Sequence, residues 1–195
     1  TRKLEEKDLV PKCNDHATIH RRVLEIDVEF DIPKGALEIG TDGSGTKMTN
    51  AGEYFQSTYG KTRRRFAKVV ITATKEDNLA VDVVICENGN ASEVKIGQKH
   101  IEEIINKGGK IIKAYNDGAF DSRSYFNTLQ KYNIASAIRI RANASTKSKG
   151  SFRRKKEVLL FKELGYKQWS KTSGYGHRWP KTEGHFSGIK RGYGD

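Results

Sequence analysis

The chain is poor in cysteine, in acid and in long apolar runs. Cys13 and Cys86 are the two cysteines among 195 residues, too few for a disulfide framework and in keeping with a reducing compartment. No apolar run approaches the roughly 20 residues that a spanning helix needs, and no charged-then-apolar leader opens the chain. A soluble, cytoplasmic protein without a membrane partner is therefore expected. The shortage of acid is the most informative of the three: 24 Asp+Glu face 36 Lys+Arg, for a net charge of +12. Such a field favours polyanions, so nucleic acid is the expected partner, association with the nucleoid the expected location, and no small-molecule substrate is indicated.

A chain of this length suits one main domain. Residues 1–35 are charged, carry Pro11 and Pro33, and hold one short apolar stretch at 23–30; they read as a linker or the remnant of an N-terminal region. Beginning with Thr1 and stopping just after KRGYGD, the chain reads as a piece of a longer protein. Regular patterning starts at residue 36. ALEIGTD (36–42) reads as a short strand, and FAKVVITATK (66–75) and LAVDVVIC (79–86) are β-branched runs joined by the polar turn KEDN. Val94, Gln98, Ile101, Ile104 and Ile105 share one helical face, which Gly108 and Gly109 terminate. IIKAYN (111–116) is a strand. A helix follows with Asp121 as its expected N-cap and Tyr125, Phe126 and Leu129 turned inward, then a strand at 134–140 and a last helix around Glu183.

Three hairpin-connected strands followed by helix, strand, helix and strand imply an α/β fold whose mixed sheet has an antiparallel side and a parallel side. This is the ribonuclease H-like order. It sets the first and fourth strands side by side, so that acids at their C-terminal ends, Asp42 and Asp117, meet. Phosphodiester transfer with two divalent ions about 3.5 to 4 Å apart uses such a pair. Hard ions such as Mg²⁺ take carboxylate oxygens, and the last helix offers a third carboxylate, Glu183.

In these residues the chain resembles the DDE transposases of bacterial and archaeal insertion sequences. The resemblance runs from about residue 37 to the end. It is carried by Asp42 with the following GSGTK, GEY (52–54), GKTRRRF (60–66), DGAFDSR (117–123), IRIRANA (138–144) and the segment YGHRWPKTEGHFSGIKR (175–191). In that last segment the family's Tyr, Arg, Glu, Lys signature falls on Tyr175, Arg178, Glu183 and Lys190. Four residues separate Arg178 from Glu183 where the family most often has three. The resemblance implies a metal-dependent polynucleotidyl transferase, an endonuclease that cuts double-stranded DNA at transposon ends and joins the released 3′-hydroxyl to target DNA. It implies Asp42, Asp117 and Glu183 as catalytic and metal-ligating acids. The cofactor would be Mg²⁺, replaceable by Mn²⁺, with two ions per site. Tyr175, Arg178 and Lys190 would hold phosphates, Arg by its planar fork and Lys as a point charge. A homodimer on paired DNA ends is compatible with it.

Other readings compete residue by residue. A strand-end Asp before Gly-Ser-Gly also starts turns, and either acid of DGAFDSR could be the ligand; Asp117 is preferred because Asp121 sits where a helix needs its cap. Glu102, Glu103, Glu157 and Glu163 read as solvated helix positions. The span from Asp117 to Glu183 exceeds what one strand, loop and helix require, which points to an insertion at about 141–174 within a domain of residues 36–195. That stretch is basic: nine Lys/Arg, Arg153 and Arg154 among them, stand against Glu157 alone between residues 139 and 162. It suits contact with a DNA backbone, as does the cluster Lys61, Arg63, Arg64 and Arg65. Phe161, Tyr166 and Trp169 would be either a stacking platform for a displaced base or ordinary core aromatics. Cys13, His16 and His20 have ligand-like spacing without the companion pair a zinc site needs, and GTDGSG lacks the Gly-Lys-Ser/Thr of a phosphate loop. Two other functions use the same features: a ribonuclease H-like nuclease or resolvase that does not transfer strands, and a non-catalytic DNA-binding transposase remnant.

Overall fold

Sheet formation follows from the β-branched runs. The structure, a computed structural model, describes residues 28–47, 66–86, 91–178 and 181–193. The chain divides into two compact units, Thr1–Phe30 and Asp31–Asp195, and every described strand and helix belongs to the second. Strands β1 (Ala36–Lys47), β2 (Phe66–Thr74) and β3 (Ala80–Cys86) pair antiparallel. Asn78 closes the β2–β3 turn with φ at 53°, a left-handed conformation that Asn tolerates better than most residues.

Helix α1 (Glu93–Asn106) is capped by Ser92, whose hydroxyl accepts from the Lys95 amide, and buries Ile96, His100, Ile101 and Ile104 along one stripe. Gly108, at φ 88°, releases the chain into β4 (Lys110–Asn116). A 3-10 turn (Gly118–Phe120) leads to helix α2 (Arg123–Lys131), strand β5 (Ala135–Ile138) and the long helix α3 (Phe152–Ser173). Gly165, with φ 68° and ψ 165°, kinks α3. A second 3-10 turn (Tyr175–Arg178) precedes helix α4 (Lys181–Tyr193).

The five strands lie in the order β3-β2-β1-β4-β5, with β4 and β5 parallel to β1. This is the ribonuclease H-like mixed sheet expected from the element order, with the first and fourth strands adjacent. Three details differ from the sequence reading. Strand β1 does not end at Asp42: its parallel pairing with β4 stops at Gly40↔Tyr115, while antiparallel pairing with β2 carries it to Lys47↔Phe66. Helix α2 is capped by Ser122, not Asp121. Strand β5 stops at Ile138, two residues short of the apolar run.

Alternation along β1 puts the core on one face. Leu37 and Ile39 pack with Ile101 and Ile104 of α1, with Phe120, and with Phe126 and Leu129 of α2. On the other face a much smaller apolar cluster joins Val69 and Ile71 of β2 to Phe186 of α4. Asp42 pairs with Ile71 and Ser44 with Val69, so both β1 side chains stand on the α4 face.

Candidate active site

Position in the sheet decides which acids can meet. Asp42 lies two residues beyond the last β1–β4 backbone pair, and its Oδ1 accepts from the Gly43 amide at 2.9 Å. Asp117 follows the end of β4 directly. By alternation it lies on the face that carries Tyr115 and Asp42. Its Oδ1 caps the 3-10 turn, accepting from the Ala119 amide at 2.8 Å. Arg141 braces that turn from outside, donating from Nε to Gly118 O at 2.6 Å and from Nη2 to Ala119 O at 3.1 Å.

A cavity of about 620 Å³ opens between β1 and α4. Asp42, Gly43 and Ser44 form its sheet side, and α4 contributes Glu183, Phe186, Ser187, Lys190 and Arg191. The α4 residues are spaced at i, i+3, i+4, i+7 and i+8, one helix face. Two of the three expected acids thus line one cavity with one of the expected phosphate-holding cations. Asp117 is not part of that lining. Arg191 and Ser187 were not anticipated, although the spacing from Glu183 would have revealed both; Arg191 Nε donates to Ser187 O at 3.2 Å.

Gly43 meets a close neighbour. A Cβ there would stand 2.7 Å from Oε1 of Glu93, whose carboxylate forms an ion pair with Lys68 at 2.7 Å. A side chain at Gly43 would therefore displace the Glu93 carboxylate from its place beside Lys68. Behind the site, Glu38 accepts from Lys75 Nζ at 2.5 Å and from the Tyr115 hydroxyl at 2.8 Å. Burial pushes the Glu38 carboxyl up, but those two hydrogen bonds outweigh it and hold the group below its ordinary range.

The remaining expected contacts fall in other places. Tyr175 is 3% exposed, its ring 5.2 Å from that of Trp169. Trp169 is itself fully buried and packs edge-to-face on Phe161 at 5.1 Å. Tyr166 is half exposed and lies under the Arg139 guanidinium at 5.3 Å. Arg178 has its backbone in the second 3-10 turn. Arg154 grips the buried Asp121 with two nitrogens, and Arg153 donates to the carbonyl of Ile134; both guanidinium groups are engaged inside the domain. Glu157, read from sequence as solvated, is instead drawn in beside Ser136, whose hydroxyl donates to it at 3.0 Å, and burial raises its pKa. Lys61, Arg63, Arg64, Arg65, Cys13, His16 and His20 lie outside the described residues.

Mg²⁺ takes oxygen ligands and keeps several waters, so the Asp42 and Glu183 carboxylates have the right donor chemistry for it. Among the described residues, no three His, Cys, Asp or Glu side chains are grouped closely enough to hold an ion by themselves. A family model described as Transposase DDE domain matches residues 36–191. The chain belongs to the DDE transposase family.

In the family generally, the role is that of a nuclease or transferase acting on DNA with divalent metal. Among solved structures, this transposase domain is similar to a chain of a simian T-cell lymphotropic virus intasome in complex with PP2A regulatory subunit B56 gamma. Identity is 13% and the TM-score 0.38, over 78% of this chain and 51% of that one. The domain spans about half the length of the solved chain it matches. Comparison with curated proteins gives no significant match. No helix among the described residues is long and apolar enough to cross a membrane.

Proposed function

We propose that this domain is the catalytic core of a transposase that hydrolyses phosphodiester bonds at transposon DNA ends and joins the resulting 3′-hydroxyl to target DNA. One observation carries the reading. Asp42, from the first strand, and Glu183, from the last helix, face one cavity that also receives Lys190 and Arg191.

The roles follow from chemistry. Asp42 and Glu183, joined by Asp117 from the neighbouring strand, would hold Mg²⁺, or Mn²⁺ in its place. Bound there, a pair of such ions supplies activation of the attacking oxygen and charge neutralisation at the leaving oxygen. Lys190 offers a point charge to a phosphate next to the acids, and Arg191 a planar fork. Arg178 and the basic run 60–65 are proposed to follow the backbone farther out, without reading sequence. Tyr175 is proposed to act by packing, which anchors the turn before α4 against Trp169. Residues 1–35 are proposed as a linker or remnant outside the catalytic domain, and a pair of chains on two DNA ends as the working assembly.

The test is cleavage of a labelled duplex at low salt with Mg²⁺ or Mn²⁺, comparing the chain with Glu183→Gln. Metal-dependent cutting that disappears in the variant supports the reading; cutting that persists moves the chemistry elsewhere. A pre-cleaved end then separates a transposase from a plain nuclease, since joined products arise only from strand transfer.

A further inference from the structure

The parallel ladder between β1 and β4 ends at Gly40↔Tyr115, one residue before Thr41 on one strand and Asn116 on the other. The next residues are Asp42 and Asp117. Past the ladder, the backbone of Asn116 is engaged with the β5 side: it pairs with Ile138 and its carbonyl accepts from the Arg139 amide at 3.3 Å. Its side chain turns the other way. Asn116 Nδ2 donates to Thr41 O at 3.1 Å, and the Tyr125 hydroxyl donates to Asn116 Oδ1 at 3.1 Å, which fixes the amide with its NH₂ toward β1. Asn116 and Tyr125 are both fully buried.

The connection continues past β1. Thr41 Oγ1 lies 2.8 Å from Thr72 Oγ1 on β2, and Thr72 Oγ1 lies 2.8 Å from His100 Nδ1 on α1. An apolar residue would fill the position of Asn116 without the desolvation cost of an amide. What the amide adds is direction: a hydrogen bond away from water is strong and angle-dependent, while apolar surfaces can slide.

We propose that Asn116, oriented by Tyr125, is a positioning residue that replaces the lost ladder and sets the offset between Asp42 and Asp117. The proposal rests on the catalytic reading above. Neither Asn116 nor Tyr125 touches DNA or metal; each acts through the strand that carries an acid. Loss of the tie lets the two strands shift relative to each other at the one place where the acids leave the sheet.

The experiment uses the full chain with Asn116→Ala, Tyr125→Phe and Asp42→Asn. Tyr125→Phe keeps the ring and so guards against a result due to misfolding, which melting without metal checks. Mn²⁺ binding by calorimetry and duplex cleavage are then measured. The expected result for Asn116→Ala and Tyr125→Phe is a several-fold weaker Mn²⁺ midpoint and a kcat lowered roughly tenfold or more, as sub-ångström misplacement produces, with the KM for DNA unchanged. Unchanged kcat and Mn²⁺ midpoint in both variants overturn the positioning role, as does a loss that only tracks the unfolded fraction. If Mn²⁺ binding is the same in the parent chain and Asp42→Asn, the catalytic reading fails and this role with it. A midpoint that depends on Asp42 but not on Asn116 or Tyr125 overturns the positioning role alone.

Discussion

Arg154 clasps Asp121 with two parallel hydrogen bonds, Nε to Oδ1 at 2.6 Å and Nη2 to Oδ2 at 3.0 Å, and the Asp121 side chain is 0% exposed. The pair joins the start of α3 to the turn that follows Asp117. Asp121 Oδ2 also accepts from the Arg141 amide at 3.0 Å. Removing one partner would strand a buried charge, at a cost of about 3 to 5 kcal/mol. Arg154→Ala should therefore lower stability by that order in urea titration. The salt dependence of DNA binding should stay as it was, because no phosphate contact is lost.

Lys190 gives the opposite signature. It lines the cavity beside Glu183, and in Lys190→Ala the slope of log binding constant against log salt should fall by about one unit. Filter binding across a salt series measures this.

Gly97 brings α1 close to the aromatic layer. A Cβ there would stand 2.9 Å from Phe120 Cε1 and 3.3 Å from Tyr125 Cε2. Ala would gain about 1 kcal/mol in helix propensity, but overpacking against rigid rings costs about 1 to 3 kcal/mol. Gly97→Ala should thus be destabilised by about 1 kcal/mol net in chemical denaturation, and Phe120→Leu in the same chain should recover part of the loss.

Acid should weaken the fold through His100. Burial pushes its pKa down from 6.5 to about 4, with the Glu103 charge opposing; Asp82 Oδ2 stands 3.8 Å from Nε2. The unfolded chain takes up this proton near pH 6.5 and the folded one near pH 4. The stability involved is fully present above pH 6.5 and is lost as pH falls toward 4, by about 3 kcal/mol. Unfolding by urea between pH 7 and 4 should show this slope in the parent chain and a flatter one in His100→Gln.

Much of the fold was legible because its signals are local. The β-branched runs, the KEDN turn and the glycine stop after α1 each act within a few residues, and their order already set the first and fourth strands side by side. What the sequence could not show depends on partners far along the chain. Asp121 looked like a cap because the helix signal is local, whereas its bond to Arg154 is not. Arg153 and Arg154 looked like DNA contacts because charge counts do not show which cations turn inward. Strand β1 appeared to end at Asp42 because Gly-Ser-Gly reads as a turn; pairing with β2 holds it extended instead. Of the cavity, Glu183 was legible as the acid of the last helix and Lys190 came from the family signature, while Ser187 and Arg191, four and eight residues beyond Glu183, follow from helical spacing once the face toward the sheet is known.

The small apolar cluster under α4 has a dynamic consequence. Phe186, with Ile189 packed beside it, holds the helix against Val69 and Ile71, while the main core contains more than a dozen buried apolar side chains. Burying one such side chain contributes about 1.5 to 3 kcal/mol, so α4 should open locally at a free energy far below that of global unfolding. Its amides should exchange with solvent before those of α1 and β4. Glu183 would then be the one acid that comes and goes while the sheet stays intact, and bound DNA, bridging Lys190 and Arg191 to the sheet, would act as the clamp that keeps the third carboxylate in place.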